Sequence, residues 1–272
     1  MPANSLSQRI TTALVVIAVL LPAFLLLPKV FGLALIVLFV LGAAWEWAAF
    51  LRIPGHAIRF GYVAAVAALI AVARFAVPET DQVRTLAWVS LLWWAVALAC
   101  IARFPVSLGR MTTSLCGILV LVPACLSLAA LLETDLGGRR LLLTALAIVW
   151  AADIGAFFAG RRFGRVKLAP RVSPGKTWEG VIGGLLGAAT VAGAGAMALG
   201  HSPLAAIPMG ISVAAISIVG DLTVSMFKRN AGLKDSGNLF PGHGGVLDRV
   251  DSVTAAAPLF LLQVCWLGWL GP

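Results

Sequence analysis

Charge is what this sequence has least of. Asp, Glu, Lys and Arg make up 11% of its 272 residues, against about 25% in an ordinary soluble domain. A soluble fold of this size would need far more polar surface, because small domains leave much of their chain wet. The cysteines, Cys100, Cys116, Cys125 and Cys265, lie in or beside apolar runs without paired spacing. They read as small buried hydrophobes and not as a disulfide framework or a zinc site. A separate soluble domain, a long linker and a low-complexity tail are all missing. The net charge of +9 does not suggest nucleic-acid binding, because the aromatic residues stay inside the apolar runs. A base-stacking surface would interleave them with basic residues.

What the chain has is apolar length. Hydrophobic residues are 61% of it and the mean hydropathy is +1.00. Runs of about 20 residues, the length a bilayer demands, occur near Ile10–Leu27, Val30–Leu51, Gly61–Val77, Leu86–Ala102 and Ser114–Leu132. Four more lie near Leu141–Gly160, Gly180–Gly200, Pro203–Met226 and Ser252–Leu270. Only Pro28 and Lys29 separate the first two. The first is long and lacks a small-residue cleavage site, so it reads as a span and not as a secretory signal. Backbone groups in lipid must pair within their own segment, so the spans are expected to be helices. The expected fold is an all-α integral membrane protein, a polytopic bundle of about nine transmembrane helices.

Basic residues set the orientation. With the N-terminus in the cytoplasm, inside segments hold 15 of the 20 Lys and Arg residues. Outside segments hold only Lys29, Arg74, Arg84, Arg139 and Arg140. Residues 1–140 carry few polar groups and read as a scaffold of about five helices. Residues 141–272 form the region where chemistry concentrates, with two cytoplasmic loops at 161–178 and 226–251.

The first loop has six basic residues and no acid up to Thr177: Arg161, Arg162, Arg165, Lys167, Arg171 and Lys176. It suits either a topogenic loop touching anionic lipid heads or a phosphate cradle. Its Gly175-Lys176-Thr177 end is not a phosphate loop of the usual kind, because Pro170 falls where the first glycine belongs. The second loop mixes Asp221, Asp235, Asp248 and Asp251 with Lys228, Arg229, Lys234 and Arg249, and adds His243 and five glycines. A topogenic loop needs no carboxylates. Carboxylates beside Lys and Arg are what a magnesium-phosphate site requires, the acids for the metal and the bases for the remaining phosphate charge.

Three acids fall within apolar runs, where charge is expensive and usually faces a cavity or a partner. Asp221 precedes Lys228 by seven residues, roughly 10 Å along a helix, and Asp153 precedes Arg161 by eight, roughly 12 Å. Both are expected at similar depth below one membrane face, lining a cavity. Glu46, between Trp45 and Trp47, fits an interhelical hydrogen bond equally well. Gly180, Gly183, Gly184 and Gly187 give two overlapping G-x-x-x-G spacings, which allow close helix contact. His56 and His201 lie in short connections and receive no role.

The 27 residues from Ser225 to Asp251 resemble the signature of phosphatidate cytidylyltransferases at every fixed position. They include Lys228-Arg229, Lys234-Asp235-Ser236-Gly237 and Phe240-Pro241-Gly242-His243-Gly244-Gly245-Val246-Leu247-Asp248-Arg249-Val250-Asp251. The stretches from Ala152 to Gly160 and from Ser173 to Gly180 are also similar to motifs of that family. One departure is Val224, where many members carry an acid. The resemblance implies that CTP and phosphatidate give CDP-diacylglycerol and pyrophosphate, with magnesium. It implies Asp221 and Asp248 as metal ligands, with Asp235 and Asp251 as auxiliary carboxylates. Lys228, Arg229, Lys234 and Arg249 would share the triphosphate and the lipid phosphate, and His243 would bind or brace. Ser173, Lys176, Lys167 and Asp153 would complete substrate binding. A homodimer in a bacterial inner membrane, with the site facing the cytoplasm and lipids around it, is the implied setting.

Rival functions predict other features. An anion transporter is expected to show internal repeats with broken helices, and none is found. A CTP-dependent lipid kinase would transfer the γ-phosphate and release CDP. A silent scaffold gives no reason for so dense a group of acids and bases.

Overall fold

The computed structural model describes residues 22, 24–76, 80–135, 137–237 and 244–270. Within them are eight α-helices: α1 (Lys29–Trp47), α2 (His56–Ala76), α3 (Thr80–Ala102), α4 (Arg110–Glu133), α5 (Gly138–Phe163), α6 (Trp178–Ala198), α7 (Pro203–Ala231) and α8 (Leu247–Trp266). A 3-10 turn, Ala48–Leu51, extends α1. Seven of these elements are long and apolar enough to cross a membrane. The exception is α8, whose first turns hold Asp248, Arg249 and Asp251 ahead of an apolar stretch that begins at Ser252. The run Ile10–Leu27 falls mostly outside the described residues. The chain is thus a helical integral membrane protein, as its composition requires.

The helix ends depart from the hydropathy boundaries for local reasons. Helix α7 continues five residues past Met226, so Lys228 and Arg229 stand in its last turn. It stops at Gly232, whose φ of +73° suits glycine. The amide of Leu233 then closes back on the Lys228 carbonyl at 2.8 Å. Prolines 123, 208 and 258 sit inside α4, α7 and α8. Membrane helices tolerate them because neighbouring groups satisfy the freed carbonyls.

Among the described residues the all-α expectation has one paired sheet as an exception, a two-stranded antiparallel hairpin of β1 (Lys167–Ala169) and β2 (Ser173–Thr177). Lys167 faces Thr177 and Ala169 faces Ser173. Thr177 then caps α6, its hydroxyl oxygen accepting the Gly180 N–H at 3.2 Å. Hydropathy cannot show such a hairpin, since strands of three and five residues in a polar connection are too short to carry a period.

Glycines set the closest approaches. A Cβ on Gly183 would collide with the Ala159 side chain, and one on Gly184 would lie 2.8 Å from the Ala152 carbonyl. The G-x-x-x-G spacings therefore serve the seam between α5 and α6 within one chain. Gly220 does the same between α7 and α8, where a Cβ would stand 2.6 Å from the Asp251 carbonyl. That approach brings Asp251 beside Asp221.

One end of the bundle gathers the connections that matter. Trp47 donates to the Thr113 carbonyl at 2.9 Å and Tyr62 to the Ser114 carbonyl at 2.9 Å. Arg229 Nε donates to the Val172 carbonyl at 3.3 Å. At the other end, Lys29 donates to the Glu133 carbonyl at 2.8 Å and pairs with Asp135 at 3.0 Å. Both expected catalytic segments belong to the first end.

Candidate active site

Three helices and the hairpin converge at this end. Lys176, on β2, places its ammonium 2.7 Å from Asp221 Oδ2. The carboxylates of Asp153 on α5, Asp221 on α7 and Asp251 on α8 lie close enough to feel one another's charge. Asp153 also feels Lys176 and Arg249. Asp153 stays accessible although it lies well inside a membrane-spanning helix. Its neighbourhood is polar, with Asp221, Lys176 and Arg249 close enough to act on its charge. Asp251 is 7% exposed, and its Oδ1 accepts the Ser252 N–H at 2.7 Å. Ser225, one turn beyond Asp221, donates to it at 3.3 Å.

A second centre forms around Asp248 in the first turn of α8. Its Oδ1 accepts Lys228 Nζ at 2.6 Å, and its Oδ2 accepts the N–H of Ser236 at 3.0 Å and of Gly245 at 3.2 Å. Both side chains are nearly buried, at 12% and 13% exposure. Burial pushes the Asp248 carboxyl up. The Lys228 bond, the two backbone N–H groups and the Lys228 charge more than offset this and hold it below the ordinary carboxylate range. Asp248 is therefore an ionised anchor that ties α7, the turn at Ser236 and the start of α8 together.

The remaining expected residues fall around these two centres. Arg229 braces the hairpin through Val172 and reaches the Leu233 carbonyl at 3.4 Å. Lys234 and Asp235 are exposed on the turn that follows α7, Arg249 is exposed on α8, and Ser173 is half-buried on β2. Lys167 is exposed at the start of β1. Arg162, Phe163, Arg165 and Glu179 line an open hollow of about 490 Å³ beside the hairpin, so part of the first loop's basic charge faces outward. His243 lies outside the described residues. Val224 is fully buried, which an acid at that position would not tolerate without a partner. His56 and His201 stack instead on Trp45 and Trp269.

The donor chemistry suits a hard divalent cation, since the carboxylates of Asp153, Asp221 and Asp251 come from separate helices and gather near the Lys176 ammonium. Among the described residues, no three His, Cys, Asp or Glu side chains already form a coordination shell. Lys176 and Lys228 currently neutralise Asp221 and Asp248. The acids thus fit a metal in kind, and each already has an ammonium partner, Lys176 at Asp221 and Lys228 at Asp248.

Sequence reasoning left the role of one member of this end open. Glu46 on α1 is 2% exposed and bonds to the second loop. Its only signal in the sequence was an acid flanked by tryptophans in an apolar run.

A membrane-embedded helical bundle that collects acids, lysines and arginines at one accessible end is built to handle a charged, phosphate-bearing substrate beside lipid. The chain belongs to the cytidylyltransferase family, whose model matches residues 7–266. It is 44% identical over 276 residues to the phosphatidate cytidylyltransferase of Pseudomonas aeruginosa, across 98% of this chain and 100% of that protein. It is 39% identical over 280 residues to the phosphatidate cytidylyltransferase of Haemophilus influenzae, across 94% of this chain and 97% of that one. A Brucella suis protein of the same name matches at 47% over 146 residues, about half of each chain.

Proposed function

We infer that this protein transfers the cytidylyl group of CTP to phosphatidate, giving CDP-diacylglycerol and pyrophosphate in phospholipid biosynthesis. The observation that carries the reading is the convergence of Lys176 and the carboxylates of Asp153, Asp221 and Asp251 from the hairpin and three helices. A phosphatidate oxygen attacks the α-phosphorus of CTP in line, and pyrophosphate leaves. Phosphatidate is already an anion, so the reaction needs no strong general base. Positioning and charge stabilisation carry most of the acceleration.

Lys176 and Ser173 hold the triphosphate from the hairpin side, with Lys167 near its mouth. Lys228, Arg229, Lys234 and Arg249 divide the triphosphate and the lipid phosphate among them. Asp153 shapes the site, and Asp235 and Asp251 support it as auxiliary carboxylates. His243 contacts phosphate or braces its turn. Asp221 and Asp248 would hold magnesium, which when bound neutralises phosphate charge and polarises the phosphorus–oxygen bonds.

The setting is proposed as well. The basic-residue bias supports a cytoplasmic site in a bacterial inner membrane, with about nine spans, a scaffold half and a catalytic half. A homodimer rests on the family resemblance, and its mass in detergent tests it.

The decisive experiment gives the purified protein phosphatidate, magnesium and CTP labelled separately on the α- and γ-phosphates. The α-label enters extractable lipid and the γ-label leaves as pyrophosphate. Entry of γ-label into a lipid alcohol would make the enzyme a kinase.

A further inference from the structure

Glu46 is a buried carboxylate that belongs to the scaffold half of the chain, yet among the described residues its hydrogen-bond donors come from the second loop. Oε2 accepts Ser236 Oγ at 2.8 Å and the Leu247 N–H at 2.8 Å. Oε1 accepts the Val246 N–H at 3.0 Å. The residue is 2% exposed. Val246 and Leu247 open α8, so two of the three donors are amides that the helix itself leaves unpaired. Their partial positive charge favours a carboxylate at this place.

The backbone is shaped around this carboxylate. A Cβ on Gly237 or on Gly245 would collide with it. Glycine at both positions lets the two chain segments close on Glu46 from either side. The same two segments, through the N–H of Ser236 and of Gly245, also bind Asp248 Oδ2. Glu46 and Asp248 therefore clasp one pair of chain segments with two carboxylates, and Asp248 in turn fixes Lys228. A generic interhelical hydrogen bond would need one donor. Three donors, two accommodating glycines and near-complete burial mark a dedicated joint.

We propose that Glu46 is a positioning residue for cytidylyl transfer, holding Ser236 and the start of α8 so that Asp248 and Lys228 keep their working geometry. The proposal rests on the reading that Lys228 and Asp248 belong to the active site. Misplacement of about 1 Å at a reacting centre is enough to cost roughly 10²-fold in rate. A glutamine at position 46 keeps the shape, but its amide nitrogen faces donors where an oxygen accepted them.

The test compares wild type, Glu46→Gln and Ser236→Ala, with Asp248→Asn as the control for that underlying reading. Steady-state kinetics and amide hydrogen exchange are measured on the full chain in detergent. For Glu46→Gln, kcat falls roughly 10²-fold with the KM for CTP little changed. Exchange rises at the amides of Ser236, Val246 and Leu247 and stays at the wild-type level in α4 and α6. Ser236→Ala, which loses one bond of three, shows the same exchange pattern with a smaller loss of kcat. If Glu46→Gln does not fold, Ser236→Ala decides on the same two readouts. Wild-type kcat with unchanged exchange overturns the proposal. So does a loss of kcat accompanied by faster exchange through every helix, which is a general loss of stability. An active Asp248→Asn protein overturns the underlying reading instead, and the exchange data still report whether the clasp exists.

Discussion

Lys176 Nζ stands 2.7 Å from Asp221 Oδ2, and this pair joins the hairpin after α5 to the middle of α7. Two segments that are 45 residues apart thereby share one site. Lys176→Ala removes a charged donor, and a hydrogen bond from such a group to the phosphate it is proposed to hold would contribute about 1.5–3 kcal/mol. The expected result is a rise in the KM for CTP of about tenfold or more, with the magnesium requirement shifting less. Titrations of each against initial rate measure both. An unchanged KM for CTP would show that Lys176 serves only to neutralise Asp221.

Asp221→Asn keeps the size of the side chain on a helix that is otherwise well packed, and Asp221 is 30% exposed. Turnover is expected to be abolished while helical content and thermal midpoint stay close to wild type. Circular dichroism and a thermal melt, run beside the labelled-CTP assay, separate chemistry from folding. Activity near wild type would remove Asp221 from the proposed metal ligands.

Asp248→Asn should behave differently. Its carboxylate anchors Lys228 and two backbone amides, so the variant loses stability as well as turnover. Breaking one side of a nearly buried pair costs about 3–5 kcal/mol, a fall in Tm on the order of 10 °C for a chain of this size. The pH dependence follows from the sign of the shift. A carboxyl held below its unfolded value contributes fully above that value, about 4. Its contribution is lost as pH falls through the depressed folded value. The Tm difference between wild type and Asp248→Asn should be flat from pH 8 to about 5 and shrink only in stronger acid. A difference that shrinks between pH 8 and 6 would mean that Asp248 is not the group responsible.

Hydropathy made the spans legible because lipid imposes one length and one composition on each of them. It also grouped the polar connections correctly, since the segments with Arg229, Val172 and Asp248 do meet at one end of the bundle. What it could not show was where a helix ends once its residues turn polar. Helix α7 runs on through Lys228 and Arg229, and α8 starts before Asp248, because hydrogen bonding and not hydropathy stops a helix. The pairing of acids was equally hidden. Depth along the spans suggested Asp221 with Asp153 and the family resemblance Asp221 with Asp248, but neither could show that Gly220 lets α8 approach closely and sets Asp251 beside Asp221. Glu46 stayed ambiguous in the sequence because its partners are 190 and more residues away.

The glycines of α6 offer a last test, because their spacing is compatible with either a dimer interface or an internal seam. A side chain on Gly183 would strike Ala159 and the carbonyl of Gly155 within the same chain. Gly183→Val should therefore destabilise each protomer, by about 1–3 kcal/mol as overpacked seams do. Its lowered Tm should not depend on protein concentration, and the mass of the detergent-solubilised particle should equal that of wild type. A variant that kept the wild-type Tm and only changed its mass would place Gly183 between protomers. The labelled-CTP assay would then show whether that contact matters, since α5 and α6 also carry Asp153 and adjoin Lys176.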